Sequence, residues 1–116
     1  MNDTDAFRVL ASADRQLVLH ELAVGDGSSG VETLACNVAA RRHGLSTDTV
    51  SDEQLERAQI RLVHQHVPLL LERDVVTVDW EDEEVALADT EAVDDLFEAA
   101  DELEQWPPDD MVYDSV

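Results

Sequence analysis

The sequence has no lysine, one cysteine (Cys36), four glycines and three prolines among its 116 residues. A lone cysteine excludes an internal disulfide, and the chain has no paired-cysteine motif for zinc. The few glycines and prolines lie between periodic apolar blocks, which excludes a low-complexity linker and an internal repeat. No apolar run approaches a membrane span, and residues 1–6 do not resemble a signal peptide. We therefore expect one cytoplasmic domain without membrane contact.

Positive charge is equally scarce. Seven arginines face 28 acidic residues, so the net charge is −21. The arginines and the four histidines all lie in residues 1–73, whereas the remaining 43 residues carry 17 carboxylates and no basic side chain. In multimolar salt the Debye length falls to roughly 3 Å, so such carboxylates repel one another weakly and keep the surface hydrated. The composition is typical of a halophilic cytoplasm, and an apolar content of 44% in periodic blocks favours a packed fold over disorder.

Helix signals begin near the N-terminus. A first helix is predicted over 12–24, with Ser12 as its N-cap and Phe7, Val9 and Leu10 leading into it. A glycine-rich turn follows. Ser29 and Glu32 then have the spacing of a capping box for a second helix, which ends at Gly44 with three basic residues in its last turn: Arg41, Arg42 and His43.

The third helix has the clearest start. Ser51 and Gln54 form a second capping box, and we expect the helix to continue to Arg73 with a kink at Pro68. Its apolar stripe is predicted to face the core and contains Leu55, Leu62, Val63, His66, Leu69 and Leu70.

Two short strands, 75–80 and 85–88, are predicted to form a hairpin, and another amphipathic helix follows. This order of elements is that of an extended winged helix-turn-helix protein: three helices, a hairpin and an added C-terminal helix. The predicted fold class is therefore α+β, mostly α. It comprises a winged helix-turn-helix domain over 1–88, a helix over 89–105 and a flexible acidic tail over 106–116.

Four segments carry a resemblance to a known family: Val9-Leu10, RQLVL at 15–19, HQHVPLL at 64–70 and Val75-Val76. Here the chain resembles a haloarchaeal winged-helix family that is known only as a domain of unknown function. The likeness covers roughly residues 7–88. It implies a winged-helix fold, and family members are presumed from that fold to regulate transcription.

One face of the third helix could contact DNA. On a helical wheel, four polar residues lie opposite the apolar stripe: Gln54, Arg57, Arg61 and His64. The exposed face of this helix can enter a major groove, where Arg and Gln suit base edges and phosphates. We predict that these residues bind double-stranded DNA, although an ordinary solvated helix face would look the same.

The predicted hairpin loop favours a different function. Its residues Glu81, Asp82, Glu83 and Glu84 would repel phosphate rather than grip it. The alternative is therefore an interaction module without DNA binding, which engages a protein partner through its acidic C-terminal half. A small-molecule or ion sensor is a third alternative, for which the sequence identifies no ligand.

The last helix keeps one apolar side, from which we predict a homodimer through Val93, Leu96, Phe97, Ala100 and Leu103. A second apolar strip on the third helix could receive it, from the same subunit or another: Ile60, Val67 and Leu71.

Metal and enzyme chemistry have little support. His64 and His66 are two residues apart and would point to different sides of a helix, whereas helical metal pairs need a spacing of three or four. His66 is predicted to be a core histidine and His64 a surface one. The sequence has no phosphate-binding glycine loop and no nucleophile motif. We expect no metal, no cofactor and no catalytic activity.

Overall fold

A computed structural model of the chain describes residues 2–103 and shows an α+β fold that is mostly helical. The predicted flexible tail over 106–116 lies outside the described residues. Along the chain the elements are α1 (Asp3–Leu10), α2 (Ala13–Val24), β1 (Ser28–Gly30), α3 (Val31–His43), α4 (Asp52–Arg61), α5 (Val67–Glu72), β2 (Val76–Asp79), β3 (Glu84–Leu87) and α6 (Glu91–Asp101).

Helix α1 was not predicted, because only its second half is apolar. Asn2 caps it by accepting a hydrogen bond from the Asp5 backbone N–H at 2.8 Å. At its other end, Arg15 Nε donates to the Val9 carbonyl at 2.9 Å, and Gln16 Nε2 donates to the Leu10 carbonyl. Both donors belong to α2, so side chains of α2 satisfy the orphan carbonyls of α1 and join the two helices.

The three strands form one antiparallel sheet in the order β1-β3-β2. The hairpin of β2 and β3 confirms the prediction, with Val78 opposite Val85. Strand β1 lies where only a turn was expected, because its Ser-Ser-Gly sequence has no apolar alternation to signal a strand. Val76 and Val85 are buried against the helices, so the sheet covers one side of the core.

The predicted capping box of α3 is wrong. The helix begins at Val31 with Gly30 as its N-cap and no side-chain cap. Ser29 belongs to β1 instead, and the Val31 N–H donates to the Glu83 carbonyl at 2.8 Å, so pairing with the hairpin fixes this helix start. The predicted end is confirmed, because Gly44 has the left-handed conformation, with φ of 65°.

The predicted capping box of α4 is confirmed, with hydrogen bonds in both directions between Ser51 and Gln54. Helix α4 continues into a π-helical turn, Leu62–His66, and then into α5. This turn stands where a kink was expected. Pro68 lies in the first turn of α5 and has no N–H to donate, and the wider turn directly precedes it.

Helix α6 begins after Thr90, as predicted, and packs against α1. Leu96 and Ala100, two residues assigned to a dimer interface, are completely buried within the single chain. The other three assigned residues are partly buried against the same core: Val93, Phe97 and Leu103. The apolar side of α6 therefore packs within its own subunit. The dimer was predicted because this side needs a partner, and that reason no longer holds.

Candidate functional site

A cleft of about 360 Å³ opens between the C-terminal end of α3 and the exposed side of α4. We call it the basic cleft. Its lining contains three of the seven arginines of the chain and a single acid: Arg42, Arg57, Arg61, His43, Gln54 and Asp14. In a protein with 28 acidic residues, this concentration of positive charge marks the cleft as the clearest candidate site.

Two sequence signals place these side chains together. Gln54, Arg57 and Arg61 are three and four residues apart on α4, so they share one side of the helix. Arg42 and His43 lie in the last turn of α3, where positive charge also complements the helix dipole. Helices α3 and α4 pack against each other, which brings the two sets to a common surface.

Asp14, from the first turn of α2, closes the bottom of the cleft. Its Oδ1 accepts a hydrogen bond from Arg42 Nη1 at 2.7 Å, and its Oδ2 accepts one from Arg61 Nε at 3.3 Å. Only 6% of the residue is exposed. Burial alone would raise the pKa of Asp14, but His66 and Arg42 attract the carboxylate and hold its pKa well below the ordinary value of 3.8. Asp14 therefore stays ionised and ties three helices together.

His66 lies behind Asp14, on the side away from solvent. Its Nε2 is 3.4 Å from Asp14 Oδ2, which is an ion-pair distance but not hydrogen-bond geometry. The residue is 3% exposed, so the prediction of a core histidine is confirmed. Neither ring nitrogen has a hydrogen-bond partner among residues 2–103, so the interaction of the ring with Asp14 is one of charge.

The structure brings three of the four predicted DNA-contacting residues into the basic cleft. Arg57 is exposed and pairs with Glu53 at 2.5 Å, and Arg61 is held by Asp14. Gln54 uses its amide oxygen in the capping box. His64 is exposed on the π-helical turn and does not line the cleft. A wheel with α-helical spacing misplaces it, because the wider turn begins at Leu62 and shifts every later side chain.

The sequence did not assign Asp14, Arg42 or His43 to a site. Arg42 and His43 were interpreted as charges that complement a helix dipole. Asp14 is one acid among 28, and nothing near it in the sequence distinguishes it from the others. A single sequence carries no signal that pairs position 14 with positions 42 and 61, because only tertiary packing makes them neighbours.

The hairpin loop carries the opposite charge. Glu81, Asp82, Glu83 and Glu84 are all exposed, and Asp79 Oδ1 accepts hydrogen bonds from the backbone N–H groups of Glu81 and Asp82. Trp80 is 52% exposed beside them. This surface, residues 79–84, is an acidic loop with one large apolar side chain.

Within residues 2–103, no group of three or more His, Cys, Asp and Glu side chains could hold a metal ion. No helix in the same part of the chain has the length and apolar character that crossing a bilayer requires.

Comparison with known proteins gives a family but no function. A family model described as "Domain of unknown function (DUF7344)" matches residues 7–86. No curated protein and no solved structure matches the chain. The matched region includes every residue that lines the basic cleft and ends before α6.

Proposed function

Because the chain belongs to the DUF7344 family, whose description names no function, we propose from its own residues that it is a winged-helix DNA-binding protein that regulates transcription. The order of α2, β1, α3, α4 and the β2–β3 hairpin supports a winged helix-turn-helix, in which α3 and α4 are the helix-turn-helix pair.

The observation that carries the proposal is the position of the arginines. Three of seven lie at one cleft beside the exposed side of α4, and the only acid in its lining is buried and already paired. In a helix-turn-helix protein, residues near the start of the second helix contact base edges, and flanking cations contact phosphates. Gln54 and Arg57 lie in the first two turns of α4 and suit the first role.

Arg57 can exchange its present partner for DNA at low cost. Its side chain and that of Glu53 are 69% and 72% exposed. An ion pair exposed to this extent contributes only about 0–1 kcal/mol, so a phosphate or a guanine edge can replace the carboxylate. Arg61 and Arg42 each give one N–H to Asp14, and a guanidinium has five.

Because the surface is acidic, we expect the protein to bind DNA only where salt screens its charge strongly. At a net charge of −21, long-range repulsion from DNA is large in dilute buffer. We infer that the protein works in the cytoplasm of a halophilic archaeon, where the Debye length is roughly 3 Å or less and short-range contacts at the cleft decide binding. The acidic loop must then point away from the duplex.

The test is fluorescence anisotropy with sheared genomic DNA in roughly 2 M KCl, where long-range charge is screened. We expect Arg57→Ala to weaken binding by about ten-fold or more, because a good arginine contact to a base contributes about 1–3 kcal/mol. Arg8→Ala is the matched control, since Arg8 is an exposed arginine on α1, away from the cleft. Equal affinities for the two variants would exclude the cleft as the DNA contact.

A second function is favoured by the acidic loop. Trp80 exposes half of its surface next to four acidic residues, and exposed tryptophans are enriched at protein interfaces. If the folded wild type binds no DNA in this assay, we propose a protein-interaction module that uses the acidic loop. Trp80→Ala would then weaken binding to a basic protein partner while Arg57→Ala would not.

The homodimer stays a prediction. With Leu96 and Ala100 buried in the subunit, three of the five assigned residues remain to contact a second copy: Val93, Phe97 and Leu103. Light scattering at several protein concentrations decides between one and two copies.

A further inference from the structure

The basic cleft is concave, although a protein surface that follows the DNA backbone does not need a pocket. Its volume of about 360 Å³ lies within the range of small-molecule sites, roughly 300–1,000 Å³. We propose that the cleft binds a small ligand through a terminal phosphate monoester, and that this ligand competes with DNA for Arg57. The competition rests on the proposed function, whereas the ligand site does not.

The charge of the lining fits a dianion. Among the lining residues, three guanidinium groups and one carboxylate leave a surplus of two positive charges before His43 is counted. The full surplus faces a ligand once Glu53, which pairs with Arg57 from outside the lining, is displaced. A phosphate monoester carries close to two negative charges at neutral pH, whereas each phosphodiester of DNA carries one. A monoester therefore matches the cleft better than a single backbone phosphate does.

Asp14 orients the donors in advance. It holds Arg42 through Nη1 and Arg61 through Nε, and so fixes the planes of both guanidinium groups while most of their N–H donors remain for a ligand. Arginine pairs with phosphate through two parallel hydrogen bonds, a geometry that depends on such fixed planes. Since Asp14 is buried and its charge is already paired, it does not repel an anion as an exposed acid would.

Arg57 is the contact that the two ligands would share. It lies at the cleft and on the exposed side of α4, and its present ion pair with Glu53 is solvent-exposed. A dianion that binds Arg42 and Arg61 can also recruit Arg57. The same guanidinium is then no longer available to DNA, so the ligand would release the protein from DNA.

The test is an NMR titration of the isotopically labelled full chain at constant ionic strength in concentrated KCl. Inorganic phosphate is the probe for a monoester dianion, and dimethyl phosphate is the probe for a DNA-like diester. We expect inorganic phosphate to cause saturable shifts at the N–H signals of residues 42, 57 and 61, but not at those of Arg8. Dimethyl phosphate should bind at least about ten-fold more weakly, because it has half the charge.

The variants separate site binding from general salt effects. Arg57→Ala removes an exposed side chain and should preserve the fold, and we expect it to weaken phosphate binding by about ten-fold, while Arg8→Ala leaves binding unchanged. Equal binding of the two probes would overturn the proposal, as would the absence of saturable shifts or equal binding by both variants.

The DNA assay then distinguishes the two proposals. Inorganic phosphate that displaces bound DNA at the concentrations that saturate the cleft supports the competition. Phosphate binding without any DNA binding supports the ligand site and refutes the proposed function. DNA binding that phosphate does not affect, in a protein whose cleft is saturated, refutes the competition.

Discussion

Asp14 is the residue on which the basic cleft depends. It lies on α2, but its two oxygens contact arginines of α3 and α4, and the buried His66 lies behind it. A carboxylate buried among cations is stabilising only while those partners are present, and the partners in turn are held in place by it. One acid out of 28 therefore holds two of the three arginines that line the basic cleft.

We expect Asp14→Asn to lower the free energy of unfolding by about 2 kcal/mol. Breaking a fully buried ion pair costs about 3–5 kcal/mol. Here the cost is lower, because the Arg42 and Arg61 side chains are 48% and 37% exposed and water can solvate them. Urea denaturation in high salt measures the change. Asp26→Asn is the control, since Asp26 is exposed and the substitution removes the same charge.

The effect of Asp14→Asn should depend on pH. Because the pKa of Asp14 is lowered in the folded protein, its contribution to stability is fully present above about pH 5. It is lost progressively as the pH falls below the ordinary value of 3.8 towards the lower pKa of the folded state. The difference between wild type and Asp14→Asn should therefore shrink in acid. A difference that stays constant between neutral pH and the acid limit would contradict this assignment.

At the scale of elements, the two predicted capping boxes had different outcomes. Both have the correct spacing, but only Ser51 caps a helix, while Ser29 lies in β1. Spacing alone cannot separate the two cases, because the strand forms only when β3 is beside it. The π-helical turn is a similar case, since Pro68 signalled a disturbance of the helix but not its form.

This pair provides a direct comparison. Ser51→Ala should destabilise the protein by about 1 kcal/mol, because it removes the acceptor of the Gln54 N–H at the start of α4. Ser29→Ala should change stability by less than about 0.5 kcal/mol, since no helix N–H depends on that hydroxyl. Thermal unfolding of both variants measures the contrast, and equal losses would show that Ser29 has a structural role that its contacts do not explain.

At the scale of the whole molecule, the uneven charge distribution makes stability depend on salt. Three of the seven arginines lie at one cleft, while the acidic loop and α6 carry acids without a basic residue among them. In dilute buffer these acids repel one another, and the core of small and branched aliphatic residues must resist that repulsion alone.

We expect the protein to unfold or loosen when KCl is lowered to about 0.1 M, because the Debye length then grows to about 10 Å and self-repulsion returns. Far-ultraviolet circular dichroism across the salt range measures the change. If NaCl added to the low-salt sample restores the spectrum as well as KCl does at equal ionic strength, then charge screening, rather than a specific ion, stabilises the fold. Unchanged helicity at low salt would contradict the prediction.

The sequence by itself determined the features that depend on neighbouring residues. The start of α2 at Ser12, the end of α3 at Gly44, the capping box of α4 and the hairpin all follow from local hydrogen bonding, backbone conformation or alternation. The arginine face of α4 was predicted for the same reason, since residues three and four apart must share a side of a helix.

Only the tertiary structure decided which distant residues meet. It paired β1 with β3, covered α6 with α1, and placed Asp14 beneath Arg42 and Arg61. These contacts join positions far apart in the chain, and their stability comes from burying apolar surface and pairing charge between elements. Local sequence patterns do not indicate which distant elements pack together. The sequence therefore predicted that the arginines of α4 share one side of the helix, but not the cleft that they help to form.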